Sequence, residues 1–121
     1  MKDSITLTAS DGHSFEAYLA TPVGTPKAAV VVIQEIFGVN AHIKEVADRF
    51  AAAGYLVIAP ALFDRIAPDI TLAYDGDGVA EGRRLKEQAD ANSEFDVKAA
   101  IDHMASAGAV GVVGFCWGGS L

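Results

Sequence analysis

Alternating apolar and polar residues open the chain. Residues 5–8 and 15–20 each alternate with a period of two, and the turn dipeptide Asp11-Gly12 lies between them. This period places successive side chains on opposite faces of a strand, and Asp-Gly favours a tight turn. The pattern predicts a two-stranded antiparallel hairpin at the N-terminus.

Two uninterrupted apolar runs follow, at residues 28–33 and 55–59, and Pro60 stops the second. Runs without alternation are typical of strands buried on both faces of a parallel sheet. Between them, Asn40 can cap a helix with apolar residues at helical spacing, and Gly54 suits the left-handed position beyond its end. Strand, helix and strand predict a parallel crossover.

A long connection is expected at residues 61–78, with an acidic, glycine-bearing patch at 75–78. Connections of this length without structure are commonly functional or mobile. Residues 79–91 are expected to be helical, although Gly82 weakens that helix. This segment forms either a separate helix or one bent element with the helix that follows it.

The last elements are a capped helix and a third strand. Ser93 and Asp96 have the spacing of a capping box, ahead of a helix that is expected to reach about residue 107 and to end at Gly108. Residues 110–115 are again uniformly apolar or small, which predicts a third buried parallel strand. The fold class is therefore α/β.

Composition and charge limit the partners. The chain has 121 residues, a hydrophobic fraction of 51% and a formal net charge of −7. We expect one globular domain that binds neither nucleic acid nor an anionic membrane, because like charges repel. The N-terminus has no apolar signal region, and the longest apolar run is too short to cross a bilayer, so we expect a cytoplasmic protein.

A single cysteine, Cys116, carries the most specific chemistry. Gly114 and Gly118 flank it two residues away on either side, after a predicted strand. A nucleophile on a sharp strand-to-helix turn needs small residues at those places, because neighbouring backbone leaves no room for side chains. The alternative is a small buried hydrophobe. One cysteine forms neither an internal disulfide nor a thiolate metal site, and we expect no cofactor.

Glu35 is the second candidate, because it ends a strand that is otherwise apolar. Ligand sites of open parallel sheets form outside the carboxyl ends of the strands, where Cys116 is also expected. A carboxylate at that edge can approach the thiol. The alternative is an acid in a solvent-facing loop.

Four motifs stand in order along the chain: Gln34-Glu35-Ile36-Phe37-Gly38-Val39-Asn40, Gly54-Tyr55, Ala59-Pro60-Ala61-Leu62-Phe63 and Gly114-Phe115-Cys116-Trp117-Gly118-Gly119. Together they resemble the dienelactone hydrolases, or carboxymethylenebutenolidases, of the α/β-hydrolase superfamily. The resemblance implies that residues 1–121 form a single partial domain, the N-terminal half of an α/β-hydrolase fold that stops just past the nucleophile.

The resemblance also implies a mechanism. Cys116 is the nucleophile of a Cys-His-Asp triad that attacks a lactone carbonyl and forms an acyl-enzyme, which water releases. In the family the resting thiol is neutral and contacts a glutamate at the position of Glu35, which helps to deprotonate the thiol when substrate arrives. The oxyanion is bound between the amides at Ile36 and Trp117. Family substrates carry a carboxylate held by arginines.

For the carboxylate of the substrate, Arg83 is the first match to the family arginine and Arg84 the second. Their alternative role is an exposed helix face.

The triad Asp and His follow the nucleophile in the family, whose members have about twice this length. The three histidines here, His13, His42 and His103, all precede Cys116, so none fits the expected order. The first hypothesis is therefore a hydrolase of small anionic lactones or esters that needs the C-terminal half.

Two other hypotheses stay open. One is a non-catalytic fragment or assembly module, which forms a homodimer or pairs with the missing half through the edge of its last strand. The other is a flavodoxin-like binding domain. That domain would need a phosphate loop after the first parallel strand, where residues 35–37 are acidic and bulky.

Overall fold

The structure is a computed structural model that describes residues 2–68 and 70–114. Its regular elements, in chain order, are β1 (Lys2–Thr8), β2 (Ser14–Ala20), β3 (Ala29–Ile33), α1 (Ala41–Ala52), β4 (Leu56–Pro60), α2 (Gly76–Ala89), α3 (Ser93–Met104) and β5 (Val110–Gly114). Short 3-10 turns lie at Leu62–Arg65 and Ala105–Ala107. Each helix within the described residues is too short or too polar to cross a membrane.

The N-terminal hairpin is confirmed. β1 and β2 pair antiparallel from Lys2 opposite Ala20 to Thr8 opposite Ser14. Leu7 on β1 and Phe15 on β2 are paired and buried. The alternation of the sequence is therefore the alternation between a core face and a polar face.

The described strands form one mixed sheet in the order β1-β2-β4-β3-β5. β3 is parallel to both of its neighbours, and β4 pairs antiparallel with β2. Every residue of β3 is buried, as its continuous apolar run predicts. Val30 and Val32 pack with α1 on one face, whereas Val31 and Ile33 pack with residues of α2 and α3 on the other. The α/β class is therefore confirmed.

The ends of α1 also agree with the prediction. The Asn40 side chain accepts a hydrogen bond from the amide of Ile43, and Gly54 follows the helix with a φ of +103°. A residue with a Cβ rarely adopts that φ, so glycine is the natural residue at this end.

β5 is parallel to β3 as predicted, but the expectation that it is buried is wrong. Its burial is intermediate or low along its length, and Val112 is 51% exposed. Within the described residues β5 pairs with β3 alone, so it forms the edge of the sheet. The predicted strand residue Phe115 lies outside the described residues.

The predicted long connection is shorter than expected. A 3-10 turn at Leu62–Arg65 follows β4, and α2 begins at Gly76. The Asp75 carboxylate accepts a hydrogen bond from the amide of Gly78 at 2.7 Å. The acidic patch is therefore mainly the capped first turn of a helix, because Asp75 satisfies an amide that the helix itself leaves free.

The predicted capping box is wrong. Ser93 is the first residue of α3, and its hydroxyl donates to the carbonyl of Ala89 at 2.9 Å. The Asp96 side chain is fully buried and binds Arg65 through two hydrogen bonds, of 2.9 and 2.8 Å. An ion pair with a distant arginine has replaced the local cap. The hydroxyl of Ser93 instead ties α3 to the end of α2, and the two helices are separate.

Candidate functional site

The site is best located from the pairing of β3 with β5. Ile33, the last residue of β3, lies opposite Gly114, the last residue of β5. Neighbouring strands are about 4.8 Å apart, so β3 and β5 end at adjacent points along the edge of the sheet that the carboxyl ends of the strands form. Glu35 follows Ile33 by two residues, and Cys116 follows Gly114 by the same number. Cys116, Trp117 and Gly118 themselves lie outside the described residues.

Gln34 fixes the chain as it leaves β3. Its side chain is fully buried, accepts a hydrogen bond from the amide of Leu62 at 2.8 Å and donates one to the carbonyl of Glu35 at 3.1 Å. These bonds join the end of β3 to the segment after β4. Gln34 was not a predicted site residue, although it is a polar residue that directly continues a buried apolar run.

The Glu35 side chain is half-buried and binds a tyrosine. Its Oε1 accepts a hydrogen bond from the Tyr74 hydroxyl at 3.3 Å, and that hydroxyl accepts one from Asn40 Nδ2 at 2.8 Å. Burial raises the pKa of Tyr74; the hydrogen bond from Asn40 lowers this pKa, and the nearby carboxylate of Glu35 raises it. Tyr74 was not a predicted site residue.

Residues 70–74 lie along the loop that carries Glu35. The amide of Leu72 donates to the carbonyl of Phe37 at 3.0 Å, and Thr71 forms an isolated bridge with Gly38. Gly38 has a φ of +87°, and a Cβ there would overlap the carbonyl oxygen of Ile70. The close approach of the two segments therefore requires glycine at this position.

Helix α2 closes the other side of the loop. Gly82 is buried against the backbone of Ile36, where a Cβ would overlap the carbonyl oxygen. Gly78 lies in the same way against the carbonyl of Ala73. Gly82, which weakens the helix in isolation, is thus the residue that allows α2 to reach Ile36. Ile36 is itself 8% exposed.

Both predicted arginines lie on α2 and are exposed. Arg84 pairs with Glu81 of the same helix, with an Nε to Oε2 distance of 3.0 Å. Arg83 has no carboxylate partner within residues 2–68 and 70–114. This exposure agrees with the exposed-face alternative and leaves Arg83 available to an anion.

The remaining polar groups add little to the site. His13 stacks on Phe15 in the hairpin, with ring centroids 5.9 Å apart. No group of three or more metal-ligating side chains occurs in the part of the chain that the structure describes. A cavity of about 250 Å³ is lined by Gln34, Tyr18, Lys44 and Phe63 among others, but not by Glu35, so we do not assign the substrate to it.

Known proteins are similar to this chain. Residues 15–121 match the model of the dienelactone hydrolase family. Carboxymethylenebutenolidase of Pseudomonas putida is 32% identical over 133 residues, which cover 100% of this chain and 54% of the relative. Carboxymethylenebutenolidase 1 of Cupriavidus pinatubonensis is 34% identical, with the same two coverages.

The fold has solved counterparts as well. The structure named m3DLH superposes with a TM-score of 0.74 at 27% identity, and the match covers 98% of this chain and 50% of that one. The chain thus spans about half the length of the curated relatives and of the solved structure it matches.

Proposed function

Because the chain belongs to the dienelactone hydrolase family, with a mixed sheet of the α/β-hydrolase type, we propose that it forms the nucleophile-bearing half of a hydrolase of small lactones or esters. Its nucleophile is Cys116. The relatives are about twice as long, so the proposed catalytic unit includes a second half that supplies the triad Asp and His.

One observation carries this proposal: the register that sets Ile33 opposite Gly114. Because Glu35 and Cys116 follow these paired residues at equal distances along the chain, the register supports a site in which the acid and the thiol meet at one edge. Gln34 and Tyr74 hold the Glu35 loop on that edge. Ligands of open α/β sheets bind at this kind of edge.

The proposed reaction has two stages. The Cys116 thiol gives its proton to the triad histidine as its sulfur forms a bond to the lactone carbonyl carbon. The ring C–O bond then breaks, and the leaving oxygen takes that proton from the histidine. In the second stage water gives one proton to the histidine as its oxygen attacks the thioester, the C–S bond breaks to release the acid, and the sulfur takes that proton back. During both stages the negative oxygen is bound between the amides of Ile36 and Trp117.

Glu35 has a restraining role in this scheme. A carboxylate beside a thiol disfavours the thiolate, which protects the resting nucleophile from oxidation. When substrate displaces that contact, the histidine and the N-terminal end of the following helix favour the thiolate. Gly114 and Gly118 leave room for the turn that presents the sulfur.

The substrate is proposed to be anionic. A net charge of −7 repels an anion, so the positive charge that receives it must be local. We assign this role to Arg83, which lacks a described carboxylate partner, ahead of Arg84, which pairs with Glu81. Arginine matches a carboxylate with two parallel hydrogen bonds.

A second candidate function is a non-catalytic fragment or assembly module. The exposed side of β5 favours it, because a strand that pairs with β3 alone among the described residues can accept a partner strand from a second copy or from the other half.

The test compares Cys116→Ala with Ser106→Ala in the complete protein, because Ser106 is an exposed residue outside the site. We expect Cys116→Ala to abolish lactone hydrolysis and Ser106→Ala to leave it unchanged. Size-exclusion mass and the rate of iodoacetamide alkylation are measured on the 121-residue chain. If Cys116→Ala hydrolyses the lactone as fast as the unchanged protein, the assignment of Cys116 as the nucleophile is refuted. If the chain assembles without activity and Cys116 is alkylated at the rate of a free thiol, the assembly module is favoured.

A further inference from the structure

A chain of hydrogen bonds runs from helix α1 to Glu35. The amide of Ile43 donates to Asn40 Oδ1 at 3.1 Å, Asn40 Nδ2 donates to the Tyr74 hydroxyl at 2.8 Å, and that hydroxyl donates to Glu35 Oε1 at 3.3 Å. We call this chain the Glu35 relay. We propose that Tyr74 and Asn40 are positioning residues, which hold the Glu35 carboxylate in the orientation from which it meets Cys116.

The direction of each hydrogen bond in the relay follows from the helix cap. The cap uses Asn40 Oδ1 as an acceptor, so the amide nitrogen Nδ2 faces Tyr74. An amide nitrogen only donates, and the Tyr74 oxygen therefore accepts. The single hydroxyl proton of Tyr74 is then left for Glu35. The capping role of Asn40 thus determines that the Tyr74 hydroxyl donates its hydrogen bond to Glu35.

The Tyr74 ring is held although it is 60% exposed. It packs edge-on against Phe37, with ring centroids 4.4 Å apart. Leu72, two residues earlier, donates its amide to the carbonyl of Phe37. Ring and backbone are therefore both fixed to the loop that carries Glu35, and Tyr74 can orient the carboxylate while its outer face remains open to substrate.

The relay also has an electrostatic consequence. The N-terminus of α1 carries partial positive charge, and hydrogen bonds in a chain polarise one another. The positive end of the helix therefore attracts the Glu35 carboxylate through the relay, which adds to the orienting effect of the hydrogen bonds. A carboxylate has two oxygens, and the described contact uses Oε1, which leaves Oε2 for the thiol. The contact between Tyr74 and Glu35 rests on the described geometry alone, whereas the effect of the relay on Cys116 rests on the proposed function.

A spectrophotometric phenol titration tests the relay without an activity assay. The chain has three tyrosines, and Tyr74→Phe identifies the Tyr74 signal by difference. Glu35→Ala should lower the pKa of Tyr74, because it removes a neighbouring negative charge. Asn40→Ser should raise this pKa, because serine still caps α1 but does not reach the phenolate.

The control is Asp48→Ala. The Tyr18 hydroxyl donates a hydrogen bond to Asp48, and burial together with this contact raises the pKa of Tyr18 to about 12. Asp48→Ala should move the Tyr18 signal and leave Tyr74 unchanged. Circular dichroism over the same pH range restricts the comparison to folded protein. The relay would be refuted if neither Glu35→Ala nor Asn40→Ser changed the pKa of Tyr74.

Kinetics of the complete protein test the effect on the nucleophile. Tyr74→Phe keeps the ring but removes the hydrogen bond that orients Glu35, so the carboxylate restrains the resting thiol less and helps less to deprotonate it when substrate arrives. We expect alkylation of Cys116 to shift to lower pH and kcat to fall about 3- to 10-fold, the effect of one modest hydrogen bond. Glu35→Ala should shift alkylation to lower pH, and Tyr74→Phe in that background should add nothing. The control Tyr55→Phe should change neither quantity.

The two experiments fail in different ways. If Cys116→Ala leaves hydrolysis unchanged while the phenol titration responds, the relay exists and the proposed function is wrong. If hydrolysis depends on Cys116 but Tyr74→Phe has the same effect with and without Glu35, Tyr74 does not act through Glu35 and the positioning role is refuted.

Discussion

Replacement of Gly82 by alanine tests how α2 holds the candidate site. An ideal Cβ at Gly82 would overlap the carbonyl oxygen of Ile36 and would lie 3.0 Å from its Cβ and 3.1 Å from its carbonyl carbon. Carbon atoms pack best about 3.5 to 4.0 Å apart. The obstruction is backbone and not the tip of a flexible side chain, so either α2 or the Glu35 loop has to move by roughly 1 Å.

Two effects of opposite sign decide the magnitude. Alanine is favoured over glycine in a helix interior by about 1 kcal/mol, which would stabilise the variant. Overpacking of a well-packed site costs about 1 to 3 kcal/mol. Because the carbonyl of Ile36 cannot rotate away independently of its chain, we expect the second effect to prevail. The expected net change is a loss of up to about 2 kcal/mol in the free energy of unfolding.

Catalysis should respond more strongly than stability. Ile36 is a proposed oxyanion donor next to Glu35, and a displacement of about 1 Å in a positioning element can reduce a rate by roughly 100-fold. The assays are urea unfolding followed by circular dichroism and hydrolysis of a small lactone by the complete protein. Both are applied to Gly82→Ala and to a matched variant in the same helix.

The matched variant is Gly76→Ala, because no heavy atom lies within 4 Å of a Cβ built at Gly76. This variant should be neutral or more stable by up to about 1 kcal/mol and should keep its activity. The urea midpoint should therefore fall for Gly82→Ala and stay unchanged or rise for Gly76→Ala. A shift of both midpoints to higher urea, with activity retained, would refute the close contact between α2 and Ile36.

Two further predictions concern the substrate and the buried glutamine. Arg83→Met should raise KM for a carboxylate-bearing lactone by about 10-fold or more and leave KM for a neutral ester unchanged, whereas Arg84→Met should change neither; the reverse result would assign the contact to Arg84. Gln34→Leu should cost about 1 to 3 kcal/mol in urea unfolding, because the amide of Leu62 loses its buried partner. Replacement of the exposed Gln88 by leucine should change the free energy of unfolding by no more than about 0.5 kcal/mol. Equal losses at the two positions would contradict the role of Gln34 as the partner of the Leu62 amide.

The framework of the fold could be predicted because its signals are local. The apolar run of β3 and the alternation of β1 and β2 report burial directly, residue by residue. The cap at Asn40 and the left-handed Gly54 need only atoms within a few residues. These elements appear in the structure within one or two residues of their predicted bounds at most of their ends.

The wrong predictions share a dependence on distant partners. The capping box failed because Asp96 binds Arg65, 31 residues earlier in the chain, and a fully buried carboxylate requires such a partner. The burial of β5 was overestimated for a related reason. Its composition suits a central strand, but whether a strand is central depends on the neighbours that pair with it, and in the described residues β3 alone does so.

In the candidate site, too, local signals could be read from the sequence, whereas contacts with distant residues could not. Glu35 is a candidate because it lies two residues after the apolar run of β3, but Tyr74, which binds it, comes from a connection without periodicity, 39 residues later. Gly82 carried a misleading signal, since a glycine that weakens an isolated helix is the residue that lets α2 contact Ile36. In the proposed site the motif at residues 34–40 therefore supplies the acid together with Gln34 and Asn40, whereas residues 70–82 supply Tyr74 and the close contact of α2 with Ile36. We therefore expect two family members with the same motif but different residues in the second segment to hold the glutamate differently.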